Sequence, residues 1–241
     1  MIYITGDIHG DPEGLFVKPF TKNLGAGDYV IICGDFGMVW GGKIAAVHKY
    51  WLDHVAAKPY KLLFIDGNHE NFDMLSAFPT VEFAGGRVQK LRPNIFHLLR
   101  GEIYTLAGQT FFCFGGAHSI DKSDRASYLS WWPEEIPSAA EFKHAQDNLA
   151  RVHHRVDYML THTVPEMLFQ SAARQQRWGD DYCPVRRMLD QLAEGLTYKA
   201  WFAGHMHVDM VNSDKHFYWL YHDVLQLAPD GKITKLFSRK K

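Results

Sequence analysis

Four times along this chain a short, largely apolar, β-rich run stops at a glycine that is followed by side chains able to bind a metal ion. Met1-Ile2-Tyr3-Ile4 leads into Gly6-Asp7-Ile8-His9-Gly10, and Tyr29-Val30-Ile31-Ile32-Cys33 into Gly34-Asp35. Lys61-Leu62-Leu63-Phe64-Ile65 leads through Asp66 into Gly67-Asn68-His69-Glu70, and the run from Tyr198 to Ala203 into Gly204-His205-Met206-His207. A fifth run, Val156-Asp157-Tyr158-Met159-Leu160, ends in Thr161-His162-Thr163. Glycine lets a backbone turn sharply and lie close to a small charged ligand. In a parallel sheet the ligand loops gather at the carboxyl ends of the strands. The pattern therefore predicts that these loops converge on one polynuclear metal site.

The intervening segments predict the connections. Residues 12–25 carry Leu15, Phe16, Phe20 and Leu24 as a partial apolar stripe closed by Gly25 and Gly27, a first helix or helical loop. A second helix is expected from about Lys43 to Ala57, with Ile44, Val47, Trp51 and Val55 on its inner face. Strand, helix, strand, helix, strand is the order of parallel βαβ units with right-handed crossovers. A short helix to about Ala77 then precedes strands at 81–84, 88–91, 95–98, 102–106 and 110–114, spaced closely enough to form a second, mixed or antiparallel sheet.

Residues 115–155 show no strand before Val156, but carry Trp131-Trp132 and a helix from Ala139 to about Leu149. Linkers rarely hold paired tryptophans, so this stretch reads as an insertion flanking the active site of a single domain spanning 1–241. Residues 164–182 read as loop and short helix, and Pro184 to Glu194 as a helix with proline in its first turn. Meander strands are expected at 208–211, 217–221 and 224–227. The last seven residues carry four basic side chains and read as a solvated tail.

Composition narrows the functional classes. With 26 basic and 27 acidic residues the formal charge is -1, which gives no electrostatic case for nucleic acid as the main partner. No run approaches the roughly 18 apolar residues of a membrane span. Cys33, Cys113 and Cys183 are odd in number and widely spaced, which argues for a reducing, cytoplasmic location rather than a disulfide framework. Histidine is the outlier at 14, and five of these, at 9, 69, 162, 205 and 207, fall at strand exits.

Asp7, His9, Asp35, Asn68, His162, His205 and His207 offer hard oxygen and borderline nitrogen donors with no thiolate. That set suits Mn²⁺, Fe, Zn²⁺, Ni²⁺ or Co²⁺, with Mn²⁺ the expected ion. Seven donors exceed one tetrahedral ion but match two ions sharing a carboxylate. A pair about 3.5–4 Å apart is the usual clamp for in-line displacement at phosphorus, with a bridging hydroxide as nucleophile.

These five motifs, in this order across residues 7 to 207, resemble the calcineurin-like metallophosphoesterase superfamily. The resemblance implies an α/β/β/α sandwich: two mixed sheets flanked by helices in four layers, with the metal site at the C-terminal ends of the strands. It implies that Asp7, His9 and His207 hold the first metal, that Asp35 bridges, and that Asn68, His162 and His205 complete the second. It further implies that His69 lies near the leaving group and protonates it, with Asp35 or Glu70 orienting the imidazole.

Departures from the superfamily's patterns bear on substrate. The Ser/Thr protein phosphatases of this superfamily carry Asp-Arg-Gly soon after the second motif and an arginine just before the third. Here Gly34-Asp35-Phe36-Gly37-Met38-Val39 and Phe64-Ile65-Asp66-Gly67 have neither. The expected activity is that of a phosphodiesterase or general phosphatase acting on a small phosphorylated substrate, with a nucleotide or phosphopeptide among the candidates. A Ser/Thr-type phosphoprotein phosphatase and a nucleotide pyrophosphohydrolase are the enzymatic alternatives, and a non-catalytic metal-binding scaffold for protein interaction is the alternative of another class. His118, Arg125 and Trp40 are candidate substrate-binding residues. Each has a plain structural counterpart: a surface histidine, a salt bridge within the insertion, and a loop anchor. Trp131 and Trp132 read first as packing residues, because aromatics supply buried area. Asp180, Asp181, His153 and His154 read as solvated or helix-end positions.

Overall fold

Alternation along the strands sorts the side chains into layers. In β1 (Ile2–Thr5), β2 (Tyr29–Cys33) and β3 (Lys61–Ile65), the side chains of Ile2, Ile4, Ile31, Cys33, Leu63 and Ile65 enter one core, while Tyr3, Val30, Ile32, Leu62 and Phe64 enter another. The period of two that defines a pleated strand makes both faces of this sheet apolar, so both must be covered. In β8 (Gln109–Phe114), β9 (Tyr158–Thr161) and β10 (Ala200–Ala203), Phe111, Cys113, Tyr158, Leu160 and Phe202 face the first sheet; Phe112, Phe114, Met159 and Trp201 face outward to a third core.

The computed structural model describes residues 1–16, 19–41, 45–176 and 182–239. Lys43 and Ile44 at the expected start of the second helix, Asp180 and Asp181, and the terminal Lys240 and Lys241 therefore lie outside the described residues. The remaining strands are β4 (Thr80–Phe83), β5 (Gly86–Arg92), β6 (Ile95–Leu98), β7 (Ile103–Leu106), β11 (Met210–Asn212), β12 (Phe217–Trp219), β13 (Asp223–Leu227) and β14 (Ile233–Ser238). One sheet has eight strands in the order β14-β13-β1-β2-β3-β6-β5-β4, and the other six in the order β11-β12-β10-β9-β8-β7. The central pairings β1–β2, β2–β3 and β3–β6 are parallel, as are β8–β9, β9–β10 and β10–β12. Helices α1 (Glu13–Phe16) and α2 (Ala45–Ala56) help cover the larger sheet. On the smaller sheet lie α4 (Ala139–Arg151), α5 (Glu166–Gln176) and α6 (Pro184–Ala193); α3 (Phe72–Ser76) follows the third motif. Two mixed sheets sandwiched between helices is the four-layer α/β/β/α arrangement. Among the described residues no helix is long and apolar enough to cross a membrane.

Several expectations need correction. The strands between 80 and 98 extend the first sheet, and only β7 and β8 begin the second. On the inner face of α2 Val55 is buried and Trp51 packs against the core as expected, but Val47 is exposed and His48 and Leu52 turn inward; the helix carries apolar residues on two faces, and period alone does not choose between them. Residues 166–176 form a full helix rather than a short one. The last strands are not a meander. β12 runs parallel to β10 in the smaller sheet, whereas β13 crosses to pair antiparallel with β1.

The C-terminus is the largest departure. Residues 233–238 pair with β13 as an edge strand, and Arg239 is 8% exposed. Its Nη2 donates to the carbonyls of Asp7 (2.6 Å) and Tyr221. A basic tail reads as solvated by composition, but carbonyls at the back of the first motif draw this guanidinium inward. Hydrogen bonds to a charged group contribute roughly 1.5–3 kcal/mol. Arg239→Ala is therefore expected to lower the unfolding free energy of the metal-free chain by about that much in urea. An unchanged midpoint would return the residue to the solvated tail.

Candidate metal centre

Four of the five motif loops are tied to one another through backbone amides. Ile8 N and His9 N donate to the Asp35 carbonyl at 3.2 and 2.8 Å, and Gly10 N to that of Phe36 at 3.0 Å. The Glu70 carboxylate accepts from Phe36 N (2.7 Å) and Gly37 N (3.2 Å), while His69 N donates to Asp35 Oδ1 at 2.8 Å. His205 N donates to both carboxylate oxygens of Asp7, at 2.9 and 3.1 Å. Two motif glycines make this approach possible. A Cβ on Gly67 would overlap the Asp35 carboxylate, and one on Gly204 would overlap that of Asp7. Each of these two glycines thus clears space for a donor of another motif.

At the centre, Asp7, His9, Asp35 and His207 each present a ligand atom within 4.8 Å of one another. His9 Nε2 lies 2.9 Å from His207 Nε2, and 3.7 Å from both Asp7 Oδ2 and Asp35 Oδ2. His207 Nε2 is 3.1 Å from Asp7 Oδ2. The carboxylates form a buried floor and the imidazoles a wall open to solvent. Asp35 Oδ2 is buried and has no hydrogen-bond partner, a condition that costs about 1–3 kcal/mol or more for a charged group. Two carboxylates and two imidazole nitrogens around that orphaned oxygen fit a divalent cation of intermediate hardness. Four of the candidate donors, His9, Asp35, His205 and His207, are held at positive φ between 46° and 66°. Non-glycine residues adopt this region rarely, and it concentrates at functional sites.

Beyond Asp35 lies a second group. His162 is fully buried; its Nδ1 is 2.9 Å from the Cys33 carbonyl, which turns Nε2 to within 3.0 Å of Asn68 Oδ1 and 3.4 Å of Asp35 Oδ1. The His162 and His205 ring centres are 4.9 Å apart. Burial and the neighbouring His162 lower the His205 imidazole to about 3, so it is neutral and free to ligate at pH 7. Burial would lower His162 as well, but the Asp35 and Asp7 carboxylates raise it to about 10. In return His162, and then His69 and His9, hold Asp35 well below the usual carboxylate range despite its burial.

His69 stands beside the cluster, its ring edge-on to His9 at 5.2 Å. Glu70 is engaged with the backbone of the second motif, and Asp35 takes the His69 amide; the polar neighbour of the imidazole is Arg125, with Nη2 at 3.3 Å from Nε2. Arg125 also donates to Asp121 Oδ2 (2.7 Å) and the Ser130 carbonyl, so it holds the segment together while reaching the site. Burial first, and then Arg125 and His9, lower the His69 value against the pull of Asp35. Two cavities meet at His69. One of about 400 Å³ is lined by Asp35, Asn68, Ile120, Asp121, Met206 and the histidines 205 and 207; the other, of about 480 Å³, by His9, Gly37, Trp40 and His48. Trp132 is buried, donates from Nε1 to Asp73 and packs edge-on against Trp40. His118 lines neither cavity; its backbone N faces Cys183 Sγ.

Sequence reasoning missed the outer supports of His207. Asp209 accepts from the backbone N of Tyr221, His222 and Asp223 at 2.8–3.1 Å, and the Tyr221 ring stacks on His207 at 4.4 Å. An aspartate two residues beyond His-x-His was a visible signal; Tyr221, fourteen residues away, carried none.

The chain matches the profile of the calcineurin-like phosphoesterases over residues 1–209 and, with this donor cluster at the carboxyl ends of its strands, belongs to that family of metal-dependent phosphoesterases. No curated protein matches it significantly. Nine chains of solved structure do. One is the phosphopantetheinyl hydrolase from Mycobacterium tuberculosis, at 16% identity and a TM-score of 0.41, with the match covering 91% of this chain and 87% of that one.

The raised His162 value has a measurable consequence. The protonated imidazole stabilises the metal-free fold below its ordinary pKa of 6.5, and that contribution fades as pH rises toward 10. A ligating imidazole must be neutral, so if His162 takes up a metal, binding at pH 7 is expected to release about one proton per chain from this residue. Calorimetry in buffers of differing ionisation enthalpy measures it. Release should decline as pH approaches 10, and none at pH 7 would contradict the assignment.

Proposed function

We propose that this chain hydrolyses phosphoesters with two divalent ions, Mn²⁺ by preference. Asp7, His9, Asp35 and His207 would hold one, and Asp35, Asn68, His162 and His205 would hold the other. The observation that carries this reading is the convergence of four donors within 4.8 Å on a buried carboxylate oxygen that has no hydrogen-bond partner. When bound, the ions supply Lewis acidity: they lower the pKa of water to yield a nucleophile near neutral pH and offset charge on the phosphoryl oxygens.

The chain's own residues do the remainder. Asp35 belongs to both donor sets and fixes their separation. His69, its amide tied to Asp35 and its ring at the junction of the cavities, hands a proton to the departing alkoxide oxygen from its imidazolium form, which its lowered value makes the minor form at pH 7. Arg125, 3.3 Å from that ring, meets the non-bridging oxygens of the phosphoryl group. Trp40 walls the second cavity beside His9. Room on both sides of His69 favours an ester with two substituents on phosphorus, a small phosphodiester, over a monoester. The free, buried Cys33, Cys113 and Cys183 suit a reducing compartment, in our reading the cytoplasm.

Turnover of bis-p-nitrophenyl phosphate against p-nitrophenyl phosphate by the Mn²⁺-loaded chain tests the substrate class. A higher kcat/KM for the diester is expected, and a preference for the monoester would overturn it in favour of a phosphatase. His69→Ala should leave metal content unchanged and lower kcat by about 10²–10⁴-fold for esters of poor leaving groups, with a much smaller loss for nitrophenolate. An equal loss for every leaving group would refute proton delivery by His69.

A further inference from the structure

A carboxamide is nearly symmetrical in shape but not in chemistry: one end accepts, the other donates, and only the oxygen end can face a cation. Asn68, assigned above to the second ion, therefore needs something that distinguishes its two ends. That something lies in the segment following β8. Asn68 Nδ2 donates to Ser119 Oγ at 3.0 Å. The single hydroxyl hydrogen of Ser119 is committed to Glu135 Oε2 at 2.5 Å, and the Ser119 backbone N donates to Glu135 Oε1 at 3.1 Å. With its hydrogen spent, Ser119 Oγ can only accept. It holds the NH2 of Asn68 and repels the amide oxygen, which is left pointing at His162 Nε2, 3.0 Å away.

Both residues are inaccessible to solvent: Ser119 is 1% exposed and Glu135 is 0% exposed. Glu135 closes the 3₁₀ turn Pro133–Glu135, which follows directly on the anchored Trp132. At the other end, Gly116 N donates to the Asp66 carbonyl at 3.0 Å, two residues before Asn68. The segment is thus fastened to the third motif at the backbone and at the side chain. Neither Ser119 nor Glu135 lies among the clustered metal donors or lines the cavities at His69.

We propose that Glu135 and Ser119 are positioning residues that lock the Asn68 carboxamide with its oxygen toward the second ion. The inference rests on the two-ion reading given above. Loss of the hydroxyl in Ser119→Ala frees the amide to turn. Glu135→Gln is close in size but can present an NH2 to Ser119 Oγ, which releases the hydroxyl hydrogen toward Asn68 and favours the reversed amide.

The test is Mn²⁺ titration of the full chain by calorimetry and by the electron paramagnetic resonance of free Mn²⁺, with thermal unfolding as a check on folding. The wild type is expected to take up two ions. In Ser119→Ala and in Glu135→Gln the weaker ion should lose affinity by about 10–100-fold, the range for partners that orient a ligand, while the tighter ion is unaffected. Asn68→Asp supplies the discriminating background, because a carboxylate has two equivalent acceptors and no orientation to set. There, adding Ser119→Ala should change the second affinity by less than about threefold, so the two positions are coupled. Equal weakening in both backgrounds would reduce Ser119 to a packing residue and overturn the inference, as would no weakening in either single variant. A wild type that binds fewer than two ions sinks the two-ion reading itself, and the inference with it; two ions with insensitive variants sinks the inference alone.

Discussion

Asp35 is the residue through which the rest of the site is tied, and the tie is electrostatic. Its carbonyl receives the amides of Ile8 and His9, and its Oδ1 receives the amide of His69; Oδ2 receives nothing. It shares a buried floor with Asp7, so two carboxylates sit side by side where water cannot solvate them. Such a pair is tolerable only against positive charge. In the bare chain that charge comes from imidazoles, chiefly His162, which hold Asp35 well below the usual carboxylate range. The left-handed backbone at Asp35 and the missing Cβ at Gly67 follow from this crowding.

The two sheets supply the rigidity that this crowding demands. Each donor loop leaves a strand buried on both faces, and the parallel central strands bring their carboxyl ends to one edge of the sandwich. Strained positions at His9, His205 and His207 are held at the ends of strands buried on both faces. Further support comes from outside the region matched to the family. Arg239 holds the carbonyl of Asp7 from behind, and Tyr221 stacks on His207.

What was legible in the sequence was whatever depends on local pattern. The runs at 29–33 and 61–65 emerge as strands with the expected bounds, because a short β-rich run flanked by glycine and charge has few alternatives. The cluster of Asp7, His9, Asp35 and His207 was visible because motif spacing places each donor at a strand exit. Two kinds of feature were hidden. Pairing across long separations was one: nothing in the run at 233–238 announces an edge strand beside β13, and nothing in 80–98 says which sheet it joins. Hydrogen-bond direction was the other. Ser119 and Glu135 carry no motif, and Glu70 read as a partner for its neighbour's ring when its carboxylate caps the backbone of a different loop.

Anomalous diffraction from crystals of the Mn²⁺-loaded chain tests the central claim most directly. The account predicts one strong peak among Asp7 Oδ2, His9 Nε2, Asp35 Oδ2 and His207 Nε2, and a second on the far side of Asp35, next to Asn68, His162 and His205. Full occupancy elsewhere on the surface with no peak beside Asp35 would contradict it.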